Sequence, residues 1–360
     1  MARLDELLRL LKASDGSDLH LAAGMAPRLR RSGELEVVES WPVLQDAELR
    51  LLLQEIANAG QWAEYERSRD LDFAYGVAGV ARFRANYFVQ EHGAAAVFRM
   101  IPEQILTSAE LRLPPAIERL ALLRQGLVLI TGPTGSGKST TLAAVIHSIN
   151  EKFARHIVTI EDPVEFVHQN RESLLSHREV GSHTRGFAPA LRAAVRQDAD
   201  VVLVGEMRDL DTISAALTAA EMGLLVFGTL HTNSASKTID RIIDAFPARD
   251  QNQVRLSLSE SLAAVVAQLL LPRATGRGRI AVHEILLRTP ALANLIREGN
   301  TPMLRSMIQG GRQQGMQLMD DALFARMQAG EIRPEDAHRK AVEKQRFEAQ
   351  LPRDGVAPAA

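Results

Sequence analysis

The chain has 360 residues, enough for two domains or one large one, and 46% of them are apolar, which supports ordinary globular cores. Its 42 basic and 44 acidic residues nearly cancel to −2, which argues against wholesale binding to nucleic acid or membrane. There is no cysteine, so disulfides, thiolate zinc sites and cysteine nucleophiles are excluded.

The first residues lack the long apolar core of a signal peptide, so a cytosolic chain is expected, linked to a membrane only through a partner. Leu4–Leu11 carries leucines at helical spacing and reads as a short amphipathic helix. Asp18 to Ala22 alternates and reads as a strand. Pro27–Ser32 and Leu35–Val38 flank Gly33 like a hairpin. Val43–Ala59 and Gln61–Arg67 read as helices. Leu71–Tyr75, Val80–Gln90 and Ala94–Ile101 are rich in β-branched and aromatic residues between glycines, which predicts an antiparallel meander. Together residues 1–101 suit a mixed α/β domain of about a hundred residues. Within it, Arg82, Arg84 and Asn86 fall on one strand face and Phe83, Ala85 and Tyr87 on the other. A solvated face opposite a core face explains this pattern. The sharper reading is an arginine face aimed at phosphate, which Arg99 on the next strand would join.

Residues 102–124 read as a linker, with Pro114 and Pro115 ahead of a short helix. The apolar run from Leu127 to Ile130, closed by Thr131, reads as a buried strand. It is followed by Gly132, Pro133, Thr134, Gly135, Ser136, Gly137, Lys138, Ser139 and Thr140, and then a helical run to Asn150. Strand, glycine loop and helix form the context that makes this spacing a triphosphate site. The glycines let backbone N–H groups turn inward, and the helix N-terminus adds partial positive charge. Lys138 would reach the β- and γ-phosphates, and the Ser139 hydroxyl would hold Mg²⁺. From there strands and helices alternate over 125–350: His156–Glu161, helix Phe187–Gln197, Val201–Glu206, helix Leu210–Met222, Leu225–His231, helix Ala235–Phe246. This predicts a parallel sheet covered on both faces. Beyond Asp250 the pattern is mostly helical, including the apolar run Leu262–Leu271, with one more strand at Arg279–Leu286. The end, from Lys340, is charged and then Pro/Ala-rich, the composition of a frayed segment, and 351–360 is expected to be disordered.

Three strand ends supply the remaining chemistry. Glu206 closes an apolar strand, where a carboxylate would act on Mg²⁺ through water or else cap the next helix. Glu161, Asp162 and Glu165 cluster after another strand, with Pro163 fixing the turn. One of them would serve as general base, and spacing does not choose among them. His231 ends a third strand, where it would sense the γ-phosphate or be a satisfied structural residue. Arg178, Arg192, Arg196 and Arg208 lie around these segments as candidates to neutralise phosphate charge.

On these motifs (the phosphate loop Gly132–Thr140, the acidic box Ile160–Glu165, Arg178 to Val180, Val204–Asp209 and the histidine box ending Phe227–Thr232) the chain resembles the secretion and type IV pilus ATPases, and within them the pilus retraction ATPases. The likeness covers nearly the whole chain. It implies a smaller N-terminal PAS-like α+β domain joined to a RecA-like P-loop ATPase domain with a helical C-terminal region, and ATP and Mg²⁺ bound where the two domains meet. It selects Glu165 as the water-activating base and Glu206 as the Mg²⁺-linked acid, and it makes Arg82, Arg84 and Arg99 nucleotide ligands. It further implies a homohexamer at the cytoplasmic side of the inner membrane, acting on an inner-membrane platform protein of the pilus, with a second retraction ATPase as a further partner. No nucleic acid and no membrane insertion are expected. Three positions depart from the family pattern: Leu224 replaces a second histidine, Ala293 replaces an arginine, and the stretch Arg196–Asp200 has its own sequence. None removes a residue needed for hydrolysis itself, but they bear on coupling and leave open an accessory retraction ATPase in place of the main motor; a nucleotide-binding assembly component that hardly hydrolyses is a further alternative.

Overall fold

The computed structural model describes residues 2–31, 33–101 and 104–351. Apart from Leu351, the tail expected to be disordered lies outside the described residues. The chain divides into two compact units, Met1–Gln104 with Asp162–Val167, and Ile105–Glu161 with His168–Ala360.

The first unit contains α1 (Leu4–Ala13), β1 (Asp18–Ala22), β2 (Arg28–Arg31), β3 (Glu34–Val37), α2 (Asp46–Gln54), α3 (Ala59–Ser68), β4 (Asp70–Val77), β5 (Ala81–Gln90) and β6 (Gly93–Ile101). Its six strands form one sheet in the order β3-β2-β1-β6-β5-β4, with every pair antiparallel. Leu4, Leu7, Leu8 and Leu11 on α1 join its core. β5 alternates as its sequence requires: Phe83, Ala85 and Tyr87 are fully buried, whereas Arg82, Arg84 and Asn86 are not. Tyr87 meets Tyr65, Phe73 and Phe98 edge-on. Its hydroxyl donates to the Leu53 carbonyl at 3.0 Å, so burial leaves no polar atom unpaired.

The second unit opens with α4 (Pro115–Glu118), β7 (Gly126–Thr131), α5 (Lys138–Lys152), β8 (His156–Glu161), β9 (Leu174–Glu179), α6 (Phe187–Ala194), β10 (Val201–Val204), α7 (Leu210–Glu221) and β11 (Leu225–Leu230). It continues with α8 (Ala235–Asp244), α9 (Gln251–Ser261), β12 (Leu262–Pro272), β13 (Arg279–Leu287), α10 (Pro290–Glu298), α11 (Leu304–Gly310), α12 (Met319–Gln328), α13 (Pro334–Lys340) and α14 (Gln345–Glu348). Its seven strands run β13-β12-β7-β11-β10-β8-β9, all parallel except β13. β7, β10 and β11 are buried along their whole length. Alternate residues serve two cores: Leu127 and Leu129 pack with residues of α6 to α9, while Val128 and Ile130 pack with α4 and α5. Residues read as a linker join the second of these cores, through Leu113, Ile117 and Leu120.

Two expectations need correction, and one strand has no counterpart in the sequence pattern. Leu262–Leu271 is not helical; it forms most of β12, an eleven-residue strand between β7 and β13. A run that is apolar at every position but Gln268 carries no period, so it suits a strand buried on both faces as well as a helix. β9 went unread because Leu174–Glu179 is an edge strand of mixed polarity, half exposed and without clean alternation. Lys340–Leu351 is not frayed: Phe347 is fully buried beside Phe324, and Asp320 accepts bonds from the Val342 and Glu343 N–H groups, both at 2.9 Å.

Candidate active site

The glycine loop lies between β7 and α5, as its spacing predicts. Gly132, Gly135 and Gly137 have φ of +148°, +76° and +86°. Gly132 is the most constrained: a Cβ there would stand 2.2 Å from the Gln268 carbonyl oxygen. The loop is tied to the next strand by the Gly132 N–H, which donates to Leu230 O at 3.2 Å. α5 begins at Lys138, so Lys138, Ser139 and Thr140 occupy its first turn, where N–H groups and the helix dipole favour an anion. The Lys138 ammonium donates to the carbonyls of Gly132 at 2.8 Å and Pro133 at 3.0 Å.

Strand order brings the other second-unit candidates to the same sheet edge. β7, β11, β10 and β8 are neighbours and parallel, so the residues after their C-terminal ends share one side. The glycine loop follows β7, His231 follows β11, Glu206 comes two residues after β10, and Glu161 ends β8. The β10 end is fixed by Gly205 N–H to Ile160 O at 2.8 Å and Met207 N–H to Thr229 O at 3.0 Å; the Thr229 hydroxyl also donates to Gly205 O. Glu206 pairs with Arg208 at 2.8 Å. It does not cap the following helix: Asp209 does, accepting from the Thr212 N–H at 2.8 Å. That bond holds the Asp209 carboxyl below its usual range, outweighing the effect of burial. His231 has a lowered pKa from desolvation, with the charges of Lys138 and Arg208 adding to it. Its imidazole therefore favours the neutral form, and these cations lie near enough to act on it.

Ser139 and Glu206 offer a hydroxyl and a carboxylate, the hard oxygen donors that suit Mg²⁺. Among the described residues no group of three or more His, Asp or Glu side chains forms a metal cage of its own.

Glu165 and the arginine face belong to the first unit. Arg82 donates to the Val164 carbonyl at 3.1 Å, next to Glu165, and the Asp162–Pro163 peptide is cis. Arg84 faces Asp72 at 3.5 Å, and Arg99 donates to the buried Asp18 at 2.7 Å. Each of the three arginines thus has a protein acceptor. Arg178 donates to His183 O at 3.3 Å and Arg196 to Arg192 O at 3.0 Å. Sequence reasoning missed Gln268 beside the loop; its only signal was a lone polar side chain in an apolar run.

A family model described as "Type II/IV secretion system protein" matches residues 72–337. The chain is 49% identical over 338 residues to the type IV pilus retraction ATPase PilT of Pseudomonas aeruginosa, covering 94% of this chain and 98% of that one. It is also 49% identical over 315 residues to a twitching motility protein of Neisseria gonorrhoeae, covering 88% and 84%. A crystal structure of the pilus retraction motor PilT with bound ADP superposes with a TM-score of 0.88 at 41% identity, covering 95% of this chain and 99% of that one. The parallel sheet with its glycine loop is accordingly a RecA-like ATPase fold. The chain belongs to the type II/IV secretion system protein family, among the ATPases related to the pilus retraction motor PilT.

Proposed function

We propose that this chain is a Mg²⁺-dependent ATPase that powers type IV pilus retraction, working as a homohexamer on an inner-membrane platform protein. The observation that carries the reading is the adjacency of β7, β11 and β10, whose ends hand Lys138, His231 and Glu206 to one sheet edge. In this reading Lys138 exchanges its two carbonyl partners for β- and γ-phosphate oxygens, joined by the N–H groups of the glycine loop and α5. Mg²⁺, held by Ser139 and through water by Glu206, would supply charge neutralisation at those phosphates. Glu165 takes the proton as water attacks the γ-phosphorus and the bond to the bridging oxygen of ADP breaks. Neutral His231 accepts or donates one hydrogen bond according to whether the γ-phosphate is present. Arg82, Arg84 and Arg99 act in this reading as nucleotide ligands. They would have to give up Val164 O, Asp72 and Asp18 to act so.

The test is ATP turnover by the purified chain with and without Mg²⁺, and with Lys138→Ala and Glu165→Gln. Both variants should lose turnover; unchanged turnover in Glu165→Gln would remove the base assignment. Measurable ATP binding without turnover, even with platform protein added, would instead favour an assembly component. Deletion with complementation, scored for pili that extend but fail to shorten, separates the main motor from an accessory ATPase.

A further inference from the structure

β12 presents Gln268 to the glycine loop from the strand beside β7. Its side chain is only 2% exposed, within a strand otherwise built from apolar residues. Both ends of its amide are hydrogen-bonded. The amide nitrogen donates to the Ser136 carbonyl at 2.7 Å. The amide oxygen accepts from the Thr141 hydroxyl at 2.8 Å and lies 3.1 Å from His283 Nε2. Burial pushes the His283 pKa down to about 4, so the ring is neutral near pH 7 and the Nε2–H tautomer is the donor. Two donors at one end and one carbonyl at the other leave only one orientation of the amide.

Ser136 lies within the loop and Thr141 on the first turns of α5, so one side chain spans the loop and the helix that follows it. The backbone takes part too. A Cβ on Gly132 would lie 2.2 Å from Gln268 O, and one on Gly137 would lie 3.0 Å from Gln268 Nε2. Two loop glycines are therefore shaped by this one residue. Core filling alone does not call for a glutamine here. An apolar side chain of similar volume would occupy the space with no amide to satisfy.

We propose that Gln268 is a positioning residue for ATP: from the neighbouring strand it holds the phosphate loop in its binding conformation without touching nucleotide. This rests on reading Gly132–Thr140 as the phosphate site. Phosphate contacts through backbone N–H groups tolerate little displacement, so loosening the Ser136 peptide should weaken both binding and turnover.

The experiment uses the full chain and three variants. Gln268→Met keeps the volume and removes all three bonds. Thr141→Val removes one of them and keeps its shape. Lys138→Ala reports on the site itself. The readouts are Kd for a fluorescent ATP analogue with Mg²⁺, KM and kcat for ATP, and the melting temperature without nucleotide. Gln268→Met should raise Kd and KM about tenfold and lower kcat, and Thr141→Val should move them the same way by less. Wild-type Kd, KM and kcat in Gln268→Met, with only a changed melting temperature, would make Gln268 a packing residue and overturn the proposal. If Gln268→Met does not fold, Thr141→Val decides: unchanged binding and kinetics overturn the proposal. Wild-type binding by Lys138→Ala would instead sink the assignment of the phosphate site, and the proposal with it.

Discussion

His283 makes the second unit's stability depend on pH, with a sign and size that follow from burial. The imidazole is 2% exposed, and its pKa falls from an ordinary 6.5 to about 4, chiefly by desolvation with the charge of Arg326 adding to it. The folded-state value lies below the unfolded one. Acid therefore protonates the unfolded chain first, and the stabilisation from neutral His283 is complete only above about pH 6.5. It declines as pH drops from 6.5 towards 4 and is lost below that. Between pH 7.5 and 5.0 the loss amounts to roughly 2 kcal/mol, or about 5 °C in melting temperature for a unit of this size. Calorimetry of wild type and His283→Gln at both pH values measures it. Tryptophan fluorescence does not, because Trp41 and Trp62 both lie in the first unit. His168, whose pKa burial pushes to about 3, is common to both proteins and cancels in the comparison. The acid-induced drop should be smaller in His283→Gln by about 5 °C. An equal drop in both would mean that the folded protein protonates His283 without cost, and the reasoning would fail.

Other substitutions test the loop, the metal acid and the C-terminal helices. Gly132→Ala should abolish ATP binding, read by titration with a fluorescent analogue, while circular dichroism stays native, because its Cβ meets backbone at 2.2 Å. Glu206→Gln should lower kcat on the order of a hundredfold, with binding less affected; a kcat within threefold of wild type counts against its role. Phe347→Ala removes a side chain with no exposure, and should cost about 3–5 kcal/mol in urea unfolding. A change below about 1 kcal/mol would mean that the end of the chain is only loosely docked.

The nucleotide edge was legible because its information is local. The glycine spacing, the apolar runs of β7, β10 and β11, and the polar residue after each can all be read in order along the chain. What was illegible depends on partners distant in sequence. Arg99 pairs with Asp18 because those two residues are register partners on β6 and β1, a fact no single strand pattern contains. Glu165 is grouped with the first unit although the strand before it belongs to the second. Phe347 was hidden in a charged segment whose docking surface lies on β12, β13 and α12. Composition averaged away the one side chain that decides the matter.

β12 is the instructive failure, since reading it as a helix removes the loop's neighbour. As a strand it shares a ladder with β7 on one side and β13 on the other. Ala267 and Leu271 then pack with Met319, Leu323 and Phe347 of the C-terminal helices, while Gln268 meets Ser136 and Thr141 at the glycine loop. β13 repeats the division: His283 lies at Gln268, and the buried Glu284 carboxylate accepts from Ala235 N–H at 2.8 Å and Met319 N–H at 3.3 Å. These are the first residues of α8 and α12. One two-stranded ribbon therefore joins the phosphate loop to the starts of α8 and α12. Closely packed interiors transmit strain, so Phe347→Ala, which loosens the C-terminal helices on that ribbon, is expected to raise the Kd for a fluorescent ATP analogue as well as lower stability; an unchanged Kd would mean that the ribbon isolates the loop from those helices.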